Sequence, residues 1–260
     1  MAGAEGNDAG FVERGVRGLG RFGVHSLRVF RASLTTRRIL GEYLKHTNRL
    51  GKQCFGPVTL SVFPFGMVIA VQGMAIFDLF GAHRLLSGLL ALVVIRELAP
   101  VIASVLVAAQ GGSTVAAELG TMRTQEELDA TTVMGVGDIG FHVVPRVLAL
   151  ATITPLLNFM GTLTGIFGGW LVAVGIGDQP HGVFMSQLTT MVGTWDLWAT
   201  LIKSSFFGVM CALIATDQGY HASGGAEGVG RAVNNTVVLS VIFILMWNYI
   251  LGTFLYGAQV

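Results

Sequence analysis

The stretch VLALATITPLLNFMGTLTGIFGGWLVAVGIG, from Val147 to Gly177, decides the class of fold because its 31 residues carry no charged side chain. The hydrocarbon core of a bilayer is about 30 Å thick and is crossed by about 20 helical residues. Four further apolar stretches are of similar length: Pro57–Phe77, Leu85–Ala117, Leu197–Thr216 and Ala232–Val260. The sequence therefore predicts five transmembrane helices.

The overall composition agrees with a membrane protein. Of the 260 residues, 52% are hydrophobic and only 12% are charged, whereas a soluble domain carries about 25% charged residues. This excludes a water-soluble globule. It also excludes intrinsic disorder, which requires low hydrophobicity. We predict an all-α integral membrane protein.

The charges are distributed unevenly along the chain. Residues 1–52 contain ten of the sixteen Lys and Arg side chains but only four of the fifteen acidic ones. Basic segments beside transmembrane helices remain on the cytoplasmic side. We therefore predict a basic, cytoplasmic segment over residues 1–52 and a membrane domain over 53–260, with the C-terminus on the periplasmic side. Since a membrane domain follows, we do not expect the basic segment to bind nucleic acid.

The basic segment has the periodicity of an amphipathic helix. Apolar residues recur on one face, and arginines occupy another: Val12, Val16, Leu19, Leu27, Phe30 and Leu34 against Arg14, Arg17, Arg21, Arg28 and Arg31. Such a helix can lie in the headgroup plane of a membrane. A helix that is solvated or bound to a partner protein gives the same pattern, but the span that follows favours the membrane interface.

Small residues recur in the third span, at Gly161, Gly165 and Gly169. Glycines four residues apart allow transmembrane helices to approach closely. Packing within one chain accounts for this pattern, and a dimer interface would produce it too.

Motifs for nucleotide, metal and hydrolytic chemistry are missing or out of context. Two G-x-G-x-x-G strings, at Gly18–Gly23 and Gly135–Gly140, do not follow a predicted strand, as a dinucleotide site requires. The sequence has no Walker A motif, no HExxH and no GxSxG. Its two cysteines, Cys54 and Cys211, suit neither a disulfide framework nor a metal site. We expect this chain to bind no cofactor and not to be an enzyme.

A polar stretch, residues 118–141, separates the second and third spans. Within it, Gln125–Met134 has helix-forming composition, Thr124 can cap the helix N-terminus, and Gly135 can end the helix. A short amphipathic helix here suits docking to a cytoplasmic partner. An ordinary solvated connection fits the same residues.

A charged pair, Arg96-Glu97, interrupts the second span. Charges at membrane depth are costly and are usually paired or line a cavity, and Pro100 can bend the helix at this point. The pair can belong to a structural ion-pair network or contact a substrate. Lys203, a few residues into the fourth span, is expected to extend towards the membrane surface.

Several strings together resemble the MlaE/YrbE permeases, the membrane subunits of ABC transporters that work with MCE proteins. They are Arg96-Glu-Leu-Ala-Pro100, Gly112-Ser-Thr-Val-Ala-Ala-Glu-Leu-Gly120, Glu127-Leu-Asp-Ala130 followed by Val133-Met-Gly135, Val144-Pro-Arg-Val-Leu-Ala149 and Ala222-Ser-Gly-Gly-Ala-Glu-Gly-Val-Gly-Arg-Ala-Val233. They occur in the family's order, and the similarity runs from about Val12 to the C-terminus.

The resemblance implies a lipid permease of the bacterial inner membrane. It implies five spans, an interfacial N-terminal helix and a second permease copy in a homodimer. It also implies a cytoplasmic ATPase dimer that binds ATP and Mg²⁺, and an MCE ring on the outer face. Phospholipid or a related lipid is the implied substrate. The resemblance also makes Gln125–Met134 a coupling helix, whose ATPase contacts would be Glu126, Glu127, Leu128, Asp129 and Met134.

The family likeness places a lipid cavity among the first, second and last spans. The residues expected to line it are Met67, Gln72, Phe77, Arg96, Glu97, Met246 and Tyr249. Methionine and aromatic side chains suit acyl chains, and a cation suits a phosphate. Two alternatives stay open: an ion-gradient-coupled transporter that uses Arg96, Glu97 and Lys203, and a scaffold that anchors an MCE assembly without transport.

Overall fold

The computed structural model describes residues 5–35, 40–81, 85–135 and 137–257, and for residues 5–17, 19 and 35 it describes the backbone only. Every regular element in these ranges is helical. In chain order they are α1 (Glu5–Thr35), α2 (Leu40–Phe80), α3 (Leu86–Val93), α4 (Ala99–Val107), α5 (Ser113–Thr124), α6 (Glu127–Val133), α7 (Val144–Gly175), α8 (His181–Met191), α9 (Thr194–Tyr220) and α10 (Gly225–Tyr256). Wider π-helical turns occupy Val94–Leu98, Ala108–Gly112 and Ile139–Val143.

Five helical segments are long and apolar enough to cross a membrane: Leu40–Phe80, Leu86–Thr124, Ile139–Gly175, Thr194–Tyr220 and Gly225–Tyr256. The prediction of five spans in an all-α membrane protein is confirmed. Four of the five helices begin earlier than the predicted apolar stretches, since helical geometry continues into the polar sequence before them. The first span accordingly starts at Leu40 and passes through the predicted domain boundary at residue 52.

Close packing of α2 against α7 explains the glycine spacing in the third span. A Cβ atom at Gly66 of α2 would collide with the backbone carbonyl of Gly165 in α7, and Gly161 faces Val58 and Val62. Gly169 accommodates the side chain of Leu90 from α3. The glycines thus serve packing within one chain, where van der Waals contact replaces the hydrophobic effect that water would supply.

Helix α1 lies against the end of α9 with one face and leaves the opposite face open. His25 and Val29 are buried, and Arg21 pairs with Asp217 of α9 at 3.2 Å. The predicted apolar stripe is exposed at Leu27, Phe30 and Leu34. Arg28 and Arg31 are exposed as well. The side chains of Val12, Arg14, Val16, Arg17 and Leu19 lie outside the described residues.

Burial lowers the pKa of His25 to about 4, and this effect exceeds the opposing attraction of Asp217. The imidazole is therefore neutral near pH 7, with one ring N–H and one lone pair.

The first and last spans expose most of their apolar surface in the single chain. Among the 18 most apolar consecutive residues of each span, 22% are buried in the first span and 11% in the last. Helix α2 packs mainly on α7, and α10 packs on α5 and α9. Their remaining faces are free to contact lipid or another protein.

Candidate functional site: a charge network inside the membrane domain

The site is built on a break in the second span. Val94–Leu98 form a π-helical turn, in which the N–H of Ala99 bonds to the carbonyl of Val94 instead of that of Ile95. Pro100 has no N–H to give to the carbonyl of Arg96, four residues earlier. The sequence therefore leaves two carbonyl oxygens, those of Ile95 and Arg96, without their α-helical donors.

Side chains of α9 bond to both of these carbonyls. The Thr200 hydroxyl donates to the Ile95 carbonyl at 3.0 Å, and the Lys203 ammonium donates to the Arg96 carbonyl at 3.0 Å. A backbone carbonyl buried without a donor costs free energy comparable to a lost hydrogen bond. The broken turn is thus stabilised from the neighbouring helix, which fixes the position of Arg96 and Glu97.

Arg96 and Glu97 are neighbours in sequence, but each forms an ion pair with a different residue of α9. The guanidinium of Arg96 lies 2.8 Å from the carboxylate of Asp196. Both carboxylate oxygens of Glu97 contact the Lys203 ammonium, at 3.2 and 3.1 Å. Since each cation has its own anion, the four charges sum to zero. We call Arg96, Glu97, Asp196, Lys203 and Asn248 the charge network.

The last span closes the network on a further side. The Asn248 side chain donates to Glu97 at 2.8 Å, and the Arg96 guanidinium lies 4.7 Å from the ring centroid of Tyr256. A Cβ atom at Gly252 would lie 3.4 Å from Glu97 and 3.8 Å from the Lys203 ammonium. The missing side chain at this glycine lets α10 approach the pair.

Exposure within the network is graded. The side chains of Lys203 and Asp196 are 0% and 5% exposed, while those of Arg96 and Glu97 are 28% and 46% exposed. Asp196 also accepts a hydrogen bond from the N–H of Gly193, which holds it at the start of α9. Lys203 and Asp196 are thus the buried members, and Arg96 and Glu97, which the sequence predicted, are the members exposed at the surface of the chain.

The prediction for Lys203 is wrong. Its side chain does not extend to the membrane surface but is fully buried, because Glu97 and the free Arg96 carbonyl provide three acceptors within the domain.

Sequence reasoning missed four contributors to the site: Asp196, Thr200, Asn248 and Tyr256. One signal was present, since Asp196, Thr200 and Lys203 recur at positions i, i+4 and i+7 and so lie on one face of α9. A polar stripe on a transmembrane helix indicates a partner with free polar groups. The Arg96 carbonyl is one such group, because Pro100, four residues later, has no N–H to donate to it.

The other predicted cavity residues lie on two separate surfaces of the chain. Met67 and Phe77 of α2 are partly buried against the cluster that contains Leu86, Leu90 and Phe184, while Gln72 is exposed. Met246 and Tyr249 of α10 are 56% and 77% exposed. The structure joins Arg96 and Glu97 to the last span through Asn248 and Tyr256.

The polar segment between the second and third spans forms a shorter helix than predicted, α6 at Glu127–Val133. Thr124 does not cap it. Thr124 ends α5 and donates to the carbonyl of Thr121, while Glu126 stands before α6 in a left-handed conformation with φ of 60°. This turn lets α6 change direction directly after α5.

The surface of this segment is mostly acidic and apolar. Glu126, Glu127 and Asp129 are exposed, and Met134 is 70% exposed. Asp129 pairs with Arg123 of α5 at 2.6 Å. Leu128 is 1% exposed, so its side chain anchors α6 to this chain and does not lie on the open surface.

Comparison with known proteins gives a consistent result. The family model described as permease MlaE matches residues 43–254. The chain belongs to the MlaE permease family. It is 32% identical over 243 residues to the intermembrane phospholipid transport system permease protein MlaE of Haemophilus influenzae, which covers 93% of each chain.

Two other relatives show similar identity. A probable ABC transporter permease protein of Synechocystis is 34% identical over 209 residues, 80% of each chain. The chloroplastic protein TRIGALACTOSYLDIACYLGLYCEROL 1 of Arabidopsis thaliana is 32% identical over 213 residues, 82% of this chain and 61% of that protein. The family match spans most of α2 and most of α10 and so includes the whole charge network, while Tyr256 lies just beyond it.

Proposed function

We propose that this chain is the permease subunit of an ABC transporter that moves phospholipid or a related lipid between the inner membrane and an MCE-protein assembly. The main observation that supports this proposal is that Arg96 and Glu97 remain partly exposed at the edge of a buried charge network, inside a membrane permease of the MlaE family. The name of the Haemophilus relative supports phospholipid as the substrate class.

Arg96 is the proposed headgroup contact. Its planar guanidinium can bind a phosphate through two parallel hydrogen bonds. An anionic headgroup and Asp196 would then share the guanidinium. Glu97, held by Lys203 and Asn248, is suited to an ammonium or hydroxyl group of the same headgroup. The network is neutral, so a zwitterionic lipid can bind without leaving a buried charge unpaired.

The acyl chains are proposed to lie along the exposed faces of the first and last spans. Met246 and Tyr249 belong to the α10 surface, and Met67, Gln72 and Phe77 belong to α2. Because these two surfaces are open in the single chain, we propose that a second copy of the permease completes the cavity. Closure of this cavity between two copies would then move the lipid.

The energy source is proposed to be a separate ATPase dimer, which binds ATP and Mg²⁺. We call the polar stretch of residues 118–141 the coupling segment. Its exposed residues Glu126, Glu127, Asp129 and Met134 are the proposed contacts on this chain. Acidic side chains provide electrostatic complementarity to a basic groove, and Met134 provides apolar area. Leu128 would act indirectly, by anchoring α6.

The proposed orientation follows the charge distribution. The basic N-terminal helix and the coupling segment lie on the cytoplasmic side, the C-terminus lies in the periplasm, and α1 rests in the headgroup plane. The exposed apolar residues Leu27, Phe30 and Leu34 of α1 would face the lipid.

The test is purification of the intact complex from the native host in mild detergent, followed by identification of co-eluting proteins and bound lipid by mass spectrometry. The proposal expects an ATPase, an MCE protein and a defined phospholipid. Recovery of the chain without an ATPase, together with transport driven by an ion gradient, would favour the gradient-coupled alternative. Normal assembly without ATP-dependent lipid movement would favour the scaffold.

A further inference from the structure

A second polar cluster lies where α1 meets the end of α9, apart from the charge network. His25 of α1, Asp217 of α9 and His221, the residue after α9, each place one potential ligand atom within 4.8 Å of the other two. Two imidazoles and a carboxylate are a ligand set typical of zinc and similar divalent transition metals.

The hydrogen bonds around the two histidines leave each ring with one free lone pair. The Thr216 hydroxyl donates to the carbonyls of Ala212 and Leu213, so towards His25 Nε2, 3.2 Å away, it acts as an acceptor. His25 Nδ1 then carries the lone pair. His221 Nδ1 lies 2.9 Å from the Asp217 backbone carbonyl and donates to it, which leaves the lone pair on Nε2.

This arrangement matches the surroundings of metal-bound histidines. A ligating imidazole almost always donates its other ring N–H to an oxygen acceptor, which fixes the tautomer and the orientation of the ring. Here a hydroxyl and a backbone carbonyl provide those acceptors, and both belong to the same turn of α9.

The carboxylate supplies an independent observation. Asp217 is 2% exposed, and its Oδ1 atom receives no hydrogen bond from a described residue. His221 Nδ1 lies 3.2 Å from Oδ1, but its N–H donates to the Asp217 backbone carbonyl, which is closer at 2.9 Å. Oδ2 accepts hydrogen bonds from Arg21 at 3.2 Å and from the Gln218 side chain at 3.4 Å. A buried carboxylate oxygen without a donor is unusual, and a metal ion would satisfy it.

We propose that His25, Asp217 and His221 bind one divalent transition-metal ion of the Zn²⁺ class, which fastens the interfacial helix α1 to the end of the fourth span. Three protein ligands leave a coordination position for water. Arg21 bonds to the second carboxylate oxygen, where its positive charge competes with the ion for Asp217. The ion would join α1 to the loop that precedes α10.

The proposal is tested on the full chain, purified in detergent without a histidine tag and stripped with a chelator. Titration with Co²⁺ is followed by the visible absorption of the bound ion, and Zn²⁺ by its displacement of Co²⁺. We expect one ion per chain. Asp217→Asn and His221→Gln should weaken binding at least about 100-fold, since loss of even an outer hydrogen-bond partner costs about 10–100-fold.

Two variants separate a metal site from an ion-pair cluster. Thr216→Val removes only the acceptor that orients His25, and we expect about 10–100-fold weaker binding. Arg21→Gln removes the competing cation but keeps all three ligands, so binding should be unchanged or tighter. His181→Gln, which removes a histidine paired with Trp170 elsewhere, is the matched control and should bind as the unaltered protein does.

A second readout follows the docking of α1 directly. Hydrogen exchange measured by mass spectrometry should slow in α1 and around residues 217–221 when Zn²⁺ is added, and should not slow in the His221→Gln protein. Failure of both the unaltered chain and the Arg21→Gln chain to bind Co²⁺ or Zn²⁺ would overturn the proposal. Undiminished binding by Asp217→Asn would overturn it as well.

Discussion

The ammonium of Lys203 lies 3.0 Å from the backbone carbonyl of Arg96, an acceptor that Pro100 cannot satisfy within its own helix. One proline thus creates the need for a donor, and a lysine on another span provides it. The same lysine then neutralises Glu97. Backbone geometry and charge pairing are therefore linked at the point where we propose that the lipid headgroup binds.

Replacing Lys203 by Met should destabilise the protein. The change leaves Glu97 without its cation and the Arg96 carbonyl without its donor. Removing one partner of a fully buried pair costs about 3–5 kcal/mol, and we expect about 2–3 kcal/mol because Glu97 is partly exposed. Thermal unfolding in detergent measures the loss. The Lys203→Met/Glu97→Gln double variant should recover part of it, and no recovery would argue against the pairing.

Replacing Pro100 by Ala tests the origin of the broken turn. The new N–H can bond to the Arg96 carbonyl, so that carbonyl no longer depends on Lys203. We expect Lys203→Met to cost less stability in the Pro100→Ala background than in the unaltered protein, by about 1 kcal/mol, the usual net worth of a hydrogen bond. A double-mutant cycle in thermal unfolding measures this, and equal costs in both backgrounds would contradict the account.

The contact between α2 and α7 predicts opposite effects for two glycines of one helix. Gly66→Ala should destabilise the protein by about 2 kcal/mol or more, because its Cβ would meet the backbone of Gly165. Gly56→Ala is the matched control, since no atom lies within 4 Å of its added Cβ. It should be neutral or stabilising by up to about 1 kcal/mol. Equal melting temperatures for the two variants would rule out this packing.

The coupling segment predicts a charge-dependent loss of ATPase binding. Glu127→Lys reverses an exposed charge and should reduce the amount of ATPase that co-purifies by about tenfold, whereas Glu127→Gln should reduce it less. Leu128→Ala should also weaken the complex, through lower stability of α6. Thermal unfolding separates the two mechanisms, because only the leucine change should lower the melting temperature. Full recovery of ATPase with Glu127→Lys would exclude this surface.

The sequence predicted the five spans because uncharged length is a local property. It identified Arg96 and Glu97 because charges within an apolar stretch stand out. It could not identify their partners, because Asp196 and Asn248 are separated from the pair by about 100 and 150 residues and meet it only through helix packing. Leu128 shows the same limit, since burial within the chain makes it 1% exposed. Thr124 failed as a cap because α5 continues through it.

The central claim, that Arg96 binds the lipid headgroup, is tested most directly by the Arg96→Gln/Asp196→Asn double variant. It removes both members of one ion pair, so no buried charge is left unpaired. The complex would be purified from the native host with its partners, and bound phospholipid would be quantified by mass spectrometry. The same measurement would be made on the Lys203→Met/Glu97→Gln variant, which removes the other ion pair. The account predicts a complex that assembles but carries about tenfold less phospholipid and shows no lipid-stimulated ATP hydrolysis. Undiminished phospholipid in the Arg96→Gln/Asp196→Asn complex would contradict it.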